Sequence, residues 1–228
     1  MRLACLMAGT GRRLMPLTTL HHKACLQLDK RRIIDYQLST FERAGIGHKT
    51  FVLGHGAVEL SRVLFESLQN SHFSLLNNPL YHSFNLDWSA WLALHQDDGP
   101  VIYYEGDLLI PSSLLKEVNN HPDEICVAMD SACQGIGANA WQLTPQQNGI
   151  CGGFIALVKL GAAARQFVVE QLAIQPYEGE IQLYKILQRA FMLFSTTYID
   201  TAGRPWIRID NLEELRRASL LAEEIVNS

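Results

Sequence analysis

An apolar run, Leu3 to Met7, opens the chain and breaks at once into Ala8-Gly9-Thr10-Gly11-Arg12-Arg13-Leu14. A buried strand running into a glycine turn constrains this chain more than any other feature. Glycine lets the backbone turn tightly and present its N–H groups to phosphate oxygens with no side chain in the way. Arg13, and Lys23 beyond Pro16-Leu17-Thr18, can then neutralise a polyphosphate, and a lysine can follow charge as it shifts during group transfer. Two familiar phosphate loops do not fit. The Walker pattern needs GxxxxGK[ST], and Leu14 stands where the dinucleotide fingerprint requires a third glycine. On spacing alone, a plain glycine turn beside a surface arginine pair fits equally well.

Downstream, strands and helices alternate. Ile34, Leu38, Phe41 and Gly45 follow helical spacing, with Gly45 and Gly47 as stop signals. Lys49 to Leu53 reads as a second strand and Phe73 to Leu76 as a third. Between them, Val58 to Leu68 reads as a helix with Val58, Val63 and Leu64 inward. Asn85 to His95 reads as a buried helix, and Val101 to Tyr104 as a strand ending at Glu105-Gly106-Asp107. Further strands are predicted at Ile125 to Met129, Gly153 to Val158, Ser195 to Ile199 and Trp206 to Ile209. Helices are predicted at Gly161 to Ile174 and Glu180 to Phe191, with a looser segment from Cys133 to Gly149. In the last helix Leu212, Leu215, Ser219, Ala222 and Val226 share one face, and Asn211 with Glu214 has capping-box spacing. This order predicts an α/β fold with a parallel sheet and later antiparallel additions, in one domain over residues 1–228.

Composition narrows the function classes. The net charge of −4 argues against nucleic-acid binding, which wants a basic face. The cysteines, Cys5, Cys25, Cys126, Cys133 and Cys151, are odd in number and scattered, with no CxxC pair. They read as reduced thiols in the cytosol, outside any disulfide framework or zinc site. No apolar stretch approaches the roughly 18 residues that span a bilayer, so no membrane partner is expected. The opening run turns glycine-rich and basic too soon for a signal peptide.

Metal-assisted transfer to or from a polyphosphate needs one or two carboxylates beside the phosphates. Asp107 closes the Val101 to Tyr104 run, at the end of a strand where open α/β sheets place their ligands. Asp210 follows Trp206-Ile207-Arg208-Ile209 in the same way and precedes the last helix. A turn residue at 107 and a helix-start residue at 210 are the bland alternatives.

Taken together, these segments resemble the nucleotidyltransferase family whose signature is strand-AAGxGxRLxPLT followed by PK. Members include sugar-1-phosphate nucleotidylyltransferases and the phosphocholine and phosphonate cytidylyltransferases. Gly9, Gly11, Arg13, Leu14, Pro16, Leu17, Thr18 and Lys23 fall where the pattern places them. Three positions depart from it: Met7 for a small residue, Arg12 for a small polar one, and His22 for the proline before the lysine.

The resemblance implies a Rossmann-like three-layer α/β/α fold with a mixed, mainly parallel central sheet. It implies Lys23 and Arg13 as catalytic groups, and Met7, Ala8, Gly9, Thr10, Gly11 and Arg12 as the nucleotide-binding segment. Asp107 and Asp210 become ligands of Mg²⁺, with Glu105 behind them. Asn78-Pro79-Leu80-Tyr81 and Asn85-Leu86-Asp87-Trp88-Ser89 resemble the segment NPxY…NxxSL that runs past the base and sugar. Asn78, Asn85 and Ser89 are then nucleotide contacts and Tyr81 a substrate contact. Glu178, Glu180 and Tyr184 lie where choline-phosphate enzymes carry acidic and aromatic residues facing the acceptor, and Trp141 could join them. Such a surface suits an ammonium-bearing acceptor. For these residues, helix-terminal solvation and core packing are the bland alternatives.

In size the chain is similar to the phosphocholine and phosphonate cytidylyltransferases, and this resemblance implies CTP as donor and phosphocholine, 2-aminoethylphosphonate or a similar compound as acceptor. A homodimer is left open, and the scattered thiols point to the cytoplasm. A sugar-1-phosphate enzyme using UTP, dTTP or GTP is the runner-up, ahead of a non-catalytic nucleotide-binding module or a glycosyltransferase. Asp107 and Asp210 on opposite faces of the sheet would overturn the enzyme reading.

Overall fold

The computed structural model describes residues 1–69, 71–84, 86–132, 142–143, 152–174 and 182–228. The chain begins with β1 (Arg2–Met7), a short hairpin β2 (Gln27–Leu28) and β3 (Arg31–Arg32), and α1 (Ile33–Arg43). Then come β4 (His48–Leu53), α2 (Ala57–Ser67), β5 (His72–Asn77), α3 (Leu86–Leu94) and β6 (Val101–Glu105). The middle holds β7 (Leu108–Leu109), α4 (Ser112–Asn120), β8 (Ile125–Asp130), β9 (Gln142–Leu143) and β10 (Gly152–Leu160). The chain closes with α5 (Ala162–Ala173), α6 (Leu183–Leu193), β11 (Thr196–Asp200), β12 (Ile207–Arg208) and α7 (Leu212–Asn227). No helix among the described residues is long and apolar enough to cross a membrane.

The main sheet has the order β11-β8-β10-β6-β1-β4-β5, with β9 attached to β10. β5, β4, β1 and β6 run parallel, β10 is antiparallel to both β6 and β8, and β11 is parallel to β8. The predicted mixed, mainly parallel α/β fold is therefore correct. Side-chain alternation along β1 explains its two covers. Leu3, Cys5 and Met7 enter a core roofed by α1, α2 and α4, while Ala4 and Leu6 enter the opposite core under α3, α5 and α6. A third apolar cluster joins Leu14, Leu28, Tyr36 and Ile209 to α7.

Two helix faces differ from expectation. Val58 is 86% exposed, because α2 turns Leu60, Val63 and Leu64 toward the sheet instead. In α7 the buried stripe is Ala218, Ala222, Ile225 and Val226, which leaves Leu212 exposed at the helix start and Ser219 half-buried. The capping box at Asn211 and Glu214 is present, and α4 was not foreseen.

β1 sits where the sheet's connections diverge. The chain moves from β1 to β4 and β5 on one side, then returns to β6 on the other. In parallel sheets such a point opens a crevice beyond the strands' carboxyl ends. The glycine turn after β1 and the Gly106-Asp107 turn after β6 both lie there.

Candidate active site

The loop after β1 is folded back on itself. Gly11 has φ +62°, and its carbonyl accepts both the Leu14 amide at 2.8 Å and the Thr18 hydroxyl at 2.9 Å. A left-handed backbone there is the reason for glycine. Close approach is the reason at Gly54, where an added Cβ would lie 2.7 Å from the Ala8 carbonyl oxygen. A Cβ at Gly9, by contrast, would meet nothing within 4 Å. The exposed Gly9 is not glycine to relieve any crowding inside the protein.

A small antiparallel ladder brings the two aspartates together. β12 pairs with β7, and the Ile209 amide donates to the Asp107 carbonyl at 2.8 Å. Glu214 Oε2 accepts the Asp210 amide at 2.6 Å, so the α7 cap fixes the backbone that carries the carboxylate. The Lys23 ammonium then lies 3.5 Å from Asp107 Oδ2 and 3.3 Å from Asp210 Oδ1. Arg13 reaches Asp210 Oδ2 at 3.0 Å from the solvent side. Burial alone would push the Asp107 carboxyl up, but Lys23 and Arg208 outweigh it and hold it below the usual range.

Behind Asp107 stands a second polar group. Glu105 accepts hydrogen bonds from Tyr103 at 2.7 Å and Tyr184 at 2.5 Å, and pairs with Arg208 at 3.0 Å. Burial pushes its carboxyl up, and the arginine beside it only partly reverses this. Tyr184 arrives on α6, whose first turn is held by the buried Asp87 carboxylate through the Gln182 and Leu183 amides at 2.8 and 2.9 Å.

Together these elements bound a cleft of about 260 Å³. Its walls include Met7, Ala8, Gly9, Gly11, Lys23, Asn78, Tyr81, Ser89, Glu105 and Asp107. Thr10, Arg12, Arg13, Tyr184 and Asp210 stand outside the walls. Asn78 and Ser89 hold each other, since the Asn78 amide donates to Ser89 Oγ at 2.9 Å while its oxygen accepts the Leu80 amide. Asn85, Trp141, Glu178 and Glu180 lie outside the described residues.

Arg208 and Tyr103 were not foreseen as site residues. Strand periodicity held the signal for Tyr103, which shares a face with Glu105 at a spacing of two in β6. His22 and Glu59 were also missed. The His22 ring nitrogens meet the Met7 carbonyl at 2.8 Å and the Ala24 amide at 3.0 Å.

The donor set suits a hard cation. Asp107 Oδ1 is buried with no hydrogen-bond partner, and the carboxylates of Asp107 and Asp210 converge on one ammonium. Mg²⁺ takes one or two carboxylates, keeps several waters and completes its shell with substrate phosphate. Among the described residues no larger cluster of His, Cys, Asp or Glu is gathered for a metal.

No curated protein sequence matches the chain. Solved structures do. The inositol-1-phosphate CTP transferase from T. maritima superposes with a TM-score of 0.76 at 16% identity, covering 98% of this chain and 95% of that one. A Bacillus anthracis protein assigned as a glucose-1-phosphate thymidylyltransferase gives 0.75 at 15%, covering 98% and 95%. The CTP:phosphocholine cytidylyltransferase from Streptococcus pneumoniae gives 0.74 at 16%, covering 96% and 97%. At such identities the likeness carries the fold alone. The sequence model of the nucleotidyl transferase family matches residues 4–127, more than half of the chain's 228 residues, and this protein belongs to that family.

Proposed function

We propose that the protein moves a nucleotidyl group from a nucleoside triphosphate, CTP by preference, to a small phosphorylated or phosphonate acceptor, with pyrophosphate leaving. One observation carries this reading: the Lys23 ammonium lies between the Asp107 and Asp210 carboxylates beside a cleft walled by the glycine turn. The open space at Gly9 supports a ligand pressed against the loop backbone.

An acceptor phosphate or phosphonate oxygen is already ionised near neutral pH, so it attacks the α-phosphorus without a general base. The residues are then left with positioning and charge. Amides of the glycine turn hold the departing phosphates and Arg13 neutralises them. Lys23 meets the charge that builds at the reacting phosphorus. Asp107 and Asp210 would hold Mg²⁺, which supplies positive charge to the phosphate oxygens it binds. Met7 through Arg12, with Asn78, Asn85, Ser89 and Tyr81, form the nucleotide side in this reading. Tyr184, Glu178, Glu180 and Trp141 form the acceptor side.

The fold neighbours named for CTP chemistry support cytidylyl transfer, and the thymidylyltransferase neighbour keeps a sugar-1-phosphate acceptor as the second reading. A cytosolic setting fits the free thiols Cys5, Cys25 and Cys126, of which burial pushes Cys25 and Cys126 up to about 12. The test is a pyrophosphate-release screen of four triphosphates against phosphocholine, 2-aminoethylphosphonate and sugar phosphates, with and without Mg²⁺. Release with CTP and a small acceptor supports the first reading. Release with a sugar phosphate and another triphosphate supports the second, and no release in any mixture removes both.

A further inference from the structure

We infer that His22 is a positioning residue: it fastens the lysine turn to the end of β1 and thereby sets where the Lys23 ammonium stands. This rests on the nucleotidyl-transfer reading of the site, and it gives a role to a residue that lines the cleft beside Lys23.

Three separate bonds converge on His22, which is only 3% exposed. Its backbone amide donates to Glu59 Oε2 at 2.6 Å. One ring nitrogen, Nδ1, faces the Ala24 amide at 3.0 Å, and the other, Nε2, faces the Met7 carbonyl at 2.8 Å. A backbone amide can only donate and a carbonyl can only accept, so the ring is neutral with its proton on Nε2. Only that one tautomer satisfies both neighbours. The residue thus ties together β1, α2 and the short turn Lys23–Cys25.

The packing is also close at the His22 backbone and Cβ. Gly56 has φ +61°, and a Cβ added there would lie 2.9 Å from the His22 Cβ. The His21 ring braces the same glutamate, meeting Glu59 Oε1 at 2.9 Å.

β1 makes the anchor consequential. Its Leu6 carbonyl accepts the Gly106 amide at 2.9 Å, and its Met7 carbonyl takes the His22 ring. Adjacent carbonyls of one buried strand therefore register the turn that carries Asp107 and the turn that carries Lys23. Loops are poor holders of catalytic groups unless the shell around them is fixed. A misplacement of about 1 Å at a reacting centre can cost about 100-fold.

The test is a double-mutant cycle with Lys23, read as kcat and KM for the triphosphate. His22→Ala is expected to lower kcat about 10- to 100-fold with the triphosphate KM within about threefold of wild type. In a Lys23→Ala background the same change is expected to cost less than about twofold, since the group it positions is gone. An equal loss in both backgrounds would overturn the inference, because it would mark general damage to the fold. Glu59→Ala, which removes the acceptor of the His22 amide together with the His21 contact and leaves the His22 ring in place, gives the same cycle should His22→Ala fail to fold. A crystal structure of whichever variant folds supplies a readout independent of turnover. The lysine ammonium is expected to leave both carboxylates, and an unmoved ammonium would overturn the inference. Absence of pyrophosphate release by the wild-type protein would count against the transfer reading, and the crystal structure would still decide the lysine's anchoring.

Discussion

The Ile209 amide donates to the Asp107 carbonyl at 2.8 Å, and this bond sets Asp210 opposite Asp107. Two carboxylates from opposite halves of the sequence thereby share one lysine. In the proposed reading each would need the other, because one carboxylate alone would hold Mg²⁺ weakly. Asp210→Asn is expected to lower turnover at least about 100-fold and to raise the Mg²⁺ needed for half-maximal rate. Pyrophosphate release across a Mg²⁺ titration checks this. An unchanged metal requirement would remove Asp210 from the metal site.

Lys23→Ala should slow turnover on the order of 100-fold or more, as expected when a preorganised charge is removed from a reacting phosphorus. The lysine also helps hold the Asp107 carboxyl below its ordinary value. A depressed carboxylate contributes stability above its unfolded value, about 3.9, and loses it as pH falls through the lower folded value. The variant should therefore lose more stability at neutral pH than at pH 3. Urea unfolding at the two pH values measures this, and an equal loss at both would contradict the pairing.

Protonation of the His22 ring predicts a different window. Burial is the main cause that pushes it down to about 4 from 6.5, and the adjacent His55 and Lys23 add to the shift while Glu59 and the Met7 carbonyl oppose it. Between these values the unfolded chain binds a proton that the folded protein refuses, so stability rises with pH across the window. The group's contribution is complete above about 6.5 and lost as pH falls to about 4, worth at most about 3 kcal/mol. His22→Asn should flatten the slope of unfolding free energy between pH 4 and 6.5 relative to wild type. Parallel slopes would show that the ring titrates normally.

How much of this was legible in the sequence depends on which force fixed each residue. Asp107 and Asp210 could be singled out because each follows an apolar run, and the family resemblance rather than the run weighed them against a turn residue and a helix start. Arg208 was passed over because its strand is only two residues long, too short for its alternation to be seen. His22 appeared only as a departure at position 22, since its three partners come from β1, α2 and its own turn. Val58 looked inward by composition, but the rotation of a helix is set by the sheet beneath it. The acceptor side rested on Glu178 and Glu180, which lie outside the described residues, so only Tyr184 could be placed, and it binds Glu105.

Gly106→Ala tests the registry between β1 and the Asp107 turn. An added Cβ would lie 2.5 Å from Met7 Cγ and 2.7 Å from the Leu6 carbonyl oxygen. The backbone oxygen cannot yield without breaking its bond to the residue 106 amide, so the turn must shift. A cost of about 1–3 kcal/mol is expected, as for overpacking in a filled core. Activity should fall further than stability at this site, because Asp107 moves with the turn. Thermal melting and steady-state rates on the same preparation separate the two. A variant with a lowered melting temperature and normal turnover would show that Asp107 tolerates the displacement.

Arg208 and Glu105 give the last prediction. Glu105 is buried beneath the cleft, hydrogen-bonded by Tyr103 and Tyr184, and Arg208 is the cation paired with it at 3.0 Å. Arg208→Ala leaves that carboxylate without its guanidinium, at a cost of about 2–3 kcal/mol near neutral pH, less than a fully buried pair because the arginine is partly solvated. Burial already raises the Glu105 carboxyl, and losing the arginine raises it further. A raised carboxyl contributes its stability below the unfolded value, about 4.3, and loses it as pH climbs through the folded value. The deficit of Arg208→Ala relative to wild type should therefore be small at pH 4 and grow toward pH 7. Adding Glu105→Gln removes the charge that needs a partner and should recover most of the loss at pH 7, while Tyr103 and Tyr184 can still donate to the amide oxygen. A deficit that stays constant with pH, or a double variant no more stable than the single, would mean that the pair packs without contributing charge.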